Sequence, residues 1–449
     1  MSMKTASVPE QGFTTSAPEK NNLRWFVCAL LFAATTINYM DRNVFSLIEP
    51  RLHEVPFMGW NPADPTHSVF NNNFGNVLIY FQIAYGIGLL TAGRLIDKLG
   101  TKLGYALAIF VWALSSMSHA LVTSVTGFYI ARFMLGLGES GNFPAAIKAI
   151  TEWFPAEERA LATGIFNSGT NVGAIIIPWL IPIILQNHGW GAAFVTTGSM
   201  GLIWLVVWLI FPYNKLRRGA TLTQANLEPV VPAEARKGFF TLFGELSKTR
   251  GLWAFSISKG LTDPIWWFYL FWLPKYFNEN YGLDLKHLGP PIIIIYFASS
   301  FGSIVGGWLS GFRMKHGATL NSARKGAMLT CACLALPVVL VPITRTWFPG
   351  NYWPAVILLS IAAAAHQGWS ANLFSTSSDL FPATSISTVV GIGGAAGAIG
   401  GALFTAVVKE VWTPHPQLIF TLAGCAYLTS LLIFQLLIPR LGPPAKAAV

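Results

Sequence analysis

Twelve apolar runs of about 20 residues, separated by short polar segments, leave this chain few ways to fold. As an α-helix, a run of that length reaches about 30 Å, the thickness of bilayer hydrocarbon. Lipid offers no partner to a backbone N–H or C=O, so each run must satisfy its own as a helix and pack against its neighbours. The first six runs fall at about 23–45, 70–93, 102–122, 125–150, 160–186 and 190–213, and the second six at about 250–277, 287–312, 325–344, 352–376, 386–409 and 416–438. The chain is 53% hydrophobic and 11% charged, against about 25% charged for soluble domains. These observations predict an all-α integral membrane protein whose twelve transmembrane helices form two pseudo-symmetric six-helix bundles.

The longest internal polar stretch divides the runs six and six. The expected organisation is a tail at 1–22, a bundle at 23–213, a linker at 214–249, a second bundle at 250–440 and a tail at 441–449. A net charge of +10 invites a nucleic-acid partner, but the basic residues sit between the apolar runs, where they set orientation instead. With both termini cytoplasmic, that side holds Arg94, Lys98, Lys102, the linker cluster Lys215, Arg217, Arg218, Arg236, Lys237 and Lys248, then Arg313, Lys315, Arg324 and Lys325. The other side keeps chiefly Arg51, Lys275, Lys286, Arg345 and Lys409, with 51–69 as its longest loop. That asymmetry predicts cytoplasmic N and C termini. Residues 1–22 contain no apolar core, so no cleaved signal peptide is expected, and the first run targets the chain to the membrane.

The halves echo one another. Gly93–Gly100 (GRLIDKLG) follows the second run and Gly307–Arg313 (GWLSGFR) the eighth, while Phe154-Pro155 follows the fourth and Phe381-Pro382 the tenth. Equivalent loops with equivalent signals are what a duplicated six-helix unit predicts.

Several patterns point away from enzymes and cofactors. Gly136–Gly141 matches GxGxxG but follows no strand and holds Glu139 where phosphates would approach, so its glycines read as close helix packing. Gly393, Gly397 and Gly401 form a GxxxGxxxG ridge with the same meaning. No Walker A loop, HExxH or paired Cys/His spacing is present, so no ATP, cofactor or metal is expected. All four cysteines lie in apolar runs, and Cys331-Ala-Cys333 lacks CxxC spacing, which makes them packing thiols.

Ionisable residues inside apolar runs cost about 2.5–3.5 kcal/mol each on lenient insertion scales and mark functional sites by default. Arg132 and Glu139, seven residues apart, share a helix face in the fourth run, as a structural ion pair or as part of a substrate and proton site. Asp41 and Arg42 point about 100° apart, so one can face a cavity while the other meets a neighbouring helix. A solvated helix end is the alternative, but apolar Val44, Phe45, Leu47 and Ile48 continue the run. Lys259 and Asp263 are an i,i+4 pair, either structural or offering Lys259 as a second anion contact, and Pro264 leaves a carbonyl unbonded where the helix can bend. In the tenth run, His366, Gln367, Trp369, Ser370 and Asn372 crowd into seven residues, as helix contacts or as a binding wall.

Taken together, the chain resembles the major facilitator superfamily over essentially its whole length. Gly93, Asp97, Lys98 and Gly100 look like the family's gate motif between spans two and three, which latches helices at the cytoplasmic face. Asn38–Arg42 (NYMDR) resembles the anion:cation symporter branch. Arg132–Pro155 (RFMLGLGESGNFPAAIKAITEWFP), 261–277 (LTDPIWWFYLFWLPKYF) and 366–382 (HQGWSANLFSTSSDLFP) resemble the bacterial hexuronate transporters within it.

The resemblance implies secondary active import of a monovalent sugar acid, such as glucuronate or galacturonate, by proton symport in a bacterial inner membrane. A monomer in the lipid bilayer is expected, with no nucleic-acid partner. The site would lie at mid-membrane depth near spans one, four, seven and ten. Arg42 would bind the substrate carboxylate, its planar fork giving two parallel hydrogen bonds, and Asp41 would carry a proton. Glu139 is the second proton carrier, with burial and a nearby Arg132 acting in opposite senses on its protonation. Sugar hydroxyls would meet Tyr39, Tyr85, Thr170 and Asn171, the last two standing where a related galactonate importer carries glutamine, and Trp369 would stack on the pyranose ring. Other organic anions (an aldonate, aldarate or aromatic acid) and a non-transporting sugar-acid sensor are the alternatives.

Overall fold

The computed structural model describes residues 23–63, 68–214, 216, 239–283, 289–411 and 416–442. The tails 1–22 and 443–449, the linker residues Lys215 and 217–238, Lys286, and the side chains of Lys275 and Lys409 lie outside the described residues.

Each expected run is helical. Spans one to three are Leu23–Leu47, Ser68–Leu99 and Thr101–Ser118, and span four is built from Val125–Glu139 and Asn142–Trp153. Ala156–Ile210 holds spans five and six, divided at Gly189, whose φ of 76° would strain any residue with a side chain. Arg250–Tyr281 and Gly289–Lys315 are spans seven and eight. Span nine runs from Leu320–Ala335 through a turn into Val341–Trp347, and Trp353–Leu380, Ile386–Val411 and Pro416–Leu437 complete the set. A short helix, Phe239–Leu246, precedes span seven.

Among the described residues, nine helices are long and apolar enough by themselves to cross a membrane. The spans outside that count are four, seven and ten, which carry the polar load: Arg132, Glu139 and Lys148; Lys259 and Asp263; and His366 to Asp379. Span four is divided into two short helices, and all three still turn apolar side chains outward, among them Ile130, Trp253 and Ile357.

Span two is longer than its hydrophobic pattern. The helix continues through Arg94, Asp97 and Lys98 to Leu99, and Gly100 alone (φ 84°) turns the chain into span three. The gate motif is therefore the last turns of a helix rather than a loop.

Duplication is visible in the details. Phe154 and Phe381 end spans four and ten in the same extended conformation (φ −115°, ψ 138° and φ −128°, ψ 148°), the region imposed on a residue before proline. Lys102, opening span three, donates to the carbonyls of Leu209 and Phe211 at the end of span six. Lys325, near the start of span nine, does the same to Ile438 and Pro439 at the end of span twelve. Both lysines supply positive charge where a helix ends in unbonded carbonyls.

The bundles meet along two seams, span two against eleven and span five against eight. Glycine lets the backbones touch there: a Cβ at Gly93 would strike the Ser387 carbonyl, and one at Gly391 the Leu89 carbonyl. On the other seam, Gly164 lies on the Ser303 carbonyl and Gly307 on that of Ala160. Hydrogen bonds join the bundles towards the end where the chain enters and leaves. Asp97 Oδ2 accepts from the Thr388 N–H (2.8 Å) and hydroxyl (2.6 Å), while Oδ1 takes Lys148 at 2.7 Å. Ser387 donates to the Pro144 carbonyl, Thr151 to Ser378, and Arg324 to the Ala156 carbonyl.

Candidate functional site

Between the bundles lies a cavity of about 110 Å³, walled by spans one, two, four, five, seven, ten and eleven. Span one presents Tyr39 and Arg42 to it because they lie three apart on one helical face. Asp41 faces away, buried, and accepts a 2.7 Å hydrogen bond from Ser116 on span three.

Arg42 is the cavity's central cation. Its Nε donates to Glu139 Oε2 at 2.9 Å, and its guanidinium lies between the rings of Tyr39 and Tyr85, 4.8 and 4.6 Å from their centroids. Nη2 is buried and finds no acceptor among the described residues. Glu139 is fully buried behind Arg42, at the last residue before span four breaks at Ser140-Gly141. Pro144 just beyond the break has no N–H to continue the helical ladder. Asn142 ties the break in place, accepting from Tyr105 at 2.6 Å and donating to Thr35 at 3.2 Å.

The stripe shared by Arg132 and Glu139 does not make them a contact pair. Glu139 pairs with Arg42, while the Arg132 guanidinium stacks 4.6 Å from the Phe45 centroid and does not line the cavity. Helical spacing placed Arg132 and Glu139 on one stripe, but span one brings a nearer guanidinium from another helix.

Span seven faces the cavity with Lys259 and Asp263, paired at 2.7 Å, and with Trp266 and Trp267. The Lys259 ammonium also sits 4.1 Å from the Phe374 ring centroid, a cation–π contact. Pro264 cannot bond the carbonyl of Gly260, which packs instead on Gly400 of span eleven.

Span ten contributes His366, Gln367 and Ser370. His366 stacks on Trp266 (5.3 Å, 7° between planes), with Nδ1 2.8 Å from the Tyr427 hydroxyl. Gln367 accepts from Asn167 of span five at 2.6 Å, a bond between the bundles across the cavity wall. Thr170, one turn on from Asn167, lines the same wall.

Three more expected contacts point elsewhere. Trp369 is fully buried edge-on against Tyr427 at 5.6 Å, so the ring-stacking surface in the cavity belongs to Trp266 and Trp267. Asn372 donates to the Gly306 and Gly368 carbonyls, fastening span ten to span eight where glycine brings the backbones close. Asn171 is buried outside the wall. Sequence reasoning passed over Asn167, Trp266, Trp267, Phe143 and Phe374. Four of them stood inside the quoted blocks, and Asn167 lies three residues before Thr170, but no periodicity in one helix says which face the other bundle will cover.

Gly93, Asp97, Lys98 and Gly100 lie away from the cavity, at the latched end. Lys148 of span four is a buried partner of Asp97.

The chain matches the profile of the Major Facilitator Superfamily over residues 31–405. It is 30% identical over 392 residues to the hexuronate transporter of Escherichia coli strain K12, covering 86% of this chain and 87% of that one. The galacturonate transporter of Dickeya chrysanthemi is 29% identical over 292 residues, 64% of this chain and 81% of that one. Among solved structures, the proton:xylose symporter XylE bound to 6-bromo-6-deoxy-D-glucose superposes with a TM-score of 0.69 at 15% identity, covering 93% of this chain and 96% of that one. FucP in the outward conformation gives 0.66 at 16% identity, covering 91% and 98%. With its helices, its two bundles and its cavity between them, the chain is an integral membrane transporter of the Major Facilitator Superfamily.

Proposed function

We propose that the chain imports a singly charged sugar acid, a hexuronate such as glucuronate or galacturonate, together with protons by alternating access. The observation that carries this reading is Arg42: a guanidinium on the cavity wall, held by Glu139 at 2.9 Å, with Nη2 buried and unsatisfied. A substrate carboxylate satisfies that donor and competes with Glu139 for the same cation. Protonation of Glu139 releases Arg42 to the substrate, and departure of the substrate returns Arg42 to Glu139 and expels the proton. Asp41, on the other side of span one, is the second candidate proton carrier. Tyr39, Tyr85, Thr170, Gln367 and Ser370 face the hydroxyls, and the Trp266 and Trp267 rings the apolar face of the sugar.

Coupling has an energetic motive. Bringing one negative charge into a negative interior costs about 2.3 kcal/mol per 100 mV, which one proton cancels and a second reverses. The reading puts the latched end, with both termini, at the cytoplasmic face of a bacterial inner membrane, the transporter acting as a monomer with 214–249 linking its bundles. The relatives' names support the substrate class.

Uptake of labelled glucuronate and galacturonate into proteoliposomes, with and without an imposed inward proton gradient, tests this. Gradient-dependent accumulation should vanish with a protonophore and with Arg42→Ala. Glu139→Gln should abolish accumulation but spare counterflow exchange. Absence of uptake in vesicles holding folded protein overturns the substrate. A second reading, an aldonate or aldarate importer, draws on the 26% identity to the probable L-galactonate transporter of Escherichia coli strain K12 and to the probable galactarate/D-glucarate transporter of Bacillus subtilis. A competition panel separates the two.

A further inference from the structure

Two ion pairs each present a cation to the cavity, Arg42 and Lys259, and they are built differently. Arg42 and Glu139 come from spans one and four, 97 residues apart in sequence, so their contact depends on how those helices sit. Lys259 and Asp263 lie one turn apart on span seven, so their contact travels with the helix. Asp263 is also seated from outside: a Cβ at Gly397 of span eleven would strike its carboxylate, and only hydrogen stands there. The glycine ridge thus leaves room for this acid beside its lysine.

A charge count follows. Arg42 and Lys259 contribute two positive charges, Glu139 and Asp263 two negative ones, and these two pairs sum to zero. Once Glu139 carries a proton the sum is +1, the complement of one substrate carboxylate. A dianion would bring a second carboxylate towards Lys259, where Asp263 already stands at 2.7 Å. It would have to displace a tethered competitor and leave two like charges together in a desolvated site.

We infer that Asp263 is a specificity-determining residue, a resident carboxylate that occupies the place of a second substrate carboxylate at Lys259 and restricts the site to singly charged acids. The inference rests on the sugar-acid reading above and names which sugar acids are refused: the aldarates, carboxylated at both ends. Asp263 does this without touching the monoanion's own carboxylate, which belongs to Arg42.

The test is competition against labelled glucuronate on the full-length protein in nanodiscs, with galacturonate, galactarate and glucarate as competitors. For the unaltered protein, the aldarates should compete about tenfold or more weakly than galacturonate, since like charges juxtaposed in a binding site are strongly disfavoured. Asp263→Asn should close or invert that gap, read as the ratio of competitors at whatever affinity for glucuronate the variant keeps, with its size-exclusion profile and unfolding temperature certifying its fold. Adding Lys259→Gln to Asp263→Asn should restore the preference for the monoanion. The inference is overturned if the unaltered protein binds glucarate as well as glucuronate, or if a folded Asp263→Asn protein still refuses aldarates. Should Asp263→Asn not fold, Asp263→Ser carries the same expectation, and the unaltered protein's own discrimination still decides. If the unaltered protein binds neither monocarboxylate, the sugar-acid reading falls first, and the inference with it.

Discussion

Spans two to five and spans eight to eleven close the latched end with the same kind of device and the opposite sign of charge. In the first bundle, Asp97 pairs with Lys148 of its own bundle and reaches across the seam to the N–H and hydroxyl of Thr388, in the first turn of span eleven. A carboxylate there meets unbonded N–H groups and the positive end of the helix dipole. In the second bundle, Asp379 pairs with Arg324 at 2.8 Å, and it is the cation that crosses, donating to the Ala156 carbonyl in the first turn of span five. Arg324 also donates to the Ser310 hydroxyl at 2.8 Å, and Arg159 of span five approaches Asp379 from across the seam at 4.0 Å. Arg324 therefore does two jobs, holding its own bundle together and touching the other, whereas the first bundle gives both to Asp97. The same architecture thus places its vulnerable residue on the acid in one bundle and on the base in the other.

That asymmetry can be broken in order of effect. Arg324→Met leaves Asp379 buried without its principal partner and should cost about 3–5 kcal/mol, the usual loss for half of a buried pair, seen as a lowered unfolding temperature in detergent. Asp97→Ala strands Lys148 and removes both seam bonds; it should cost about 3 kcal/mol and also open the seam, so that a cysteine placed at Ser387 reacts faster with a soluble thiol reagent. Thr388→Val keeps the N–H bond to Asp97 and loses only the hydroxyl, for about 1 kcal/mol and a smaller rise in that reactivity. Thr151→Ala, removing one neutral bond to Ser378, should cost about 0.5–1 kcal/mol and leave the order of the others unchanged. Equal effects of Asp97→Ala and Asp379→Ala on the thiol reaction would erase the distinction, because Arg324 keeps its crossing bond when Asp379 is lost.

Much of this was legible in the chain. Apolar runs gave the spans because lipid enforces one backbone solution, and the paired Phe-Pro stops revealed the duplication because proline dictates its neighbour's conformation. Gly136 and Gly138 pack against Phe81 and Trp112, and Gly393 and Gly401 against Phe255 and Trp267, as close helix contacts should. What the chain withheld was partner choice. Lys148 stood inside a quoted block, yet only the placement of span four against span two makes it the partner of Asp97. Arg42 displaced Arg132 at Glu139 for the same reason. Periodicity reports which residues of one helix share a face; it says nothing about the helix that will meet it.

The glycine contacts along the seams have a bearing on energy conservation by the cell. A carrier of the kind proposed above, coupling an anion to protons, is useful only while closed to everything else, since any file of water through it would short-circuit the gradient that drives it. Side chains meeting across a seam leave crevices that hydrogen-bonded water can thread. At Gly93, Gly164, Gly307 and Gly391 backbone lies directly on backbone, with no gap of that size between them. If the carrier is proton-coupled as proposed above, the seams serve as electrical insulation, and a methyl group added at any one of them should register first as a proton leak.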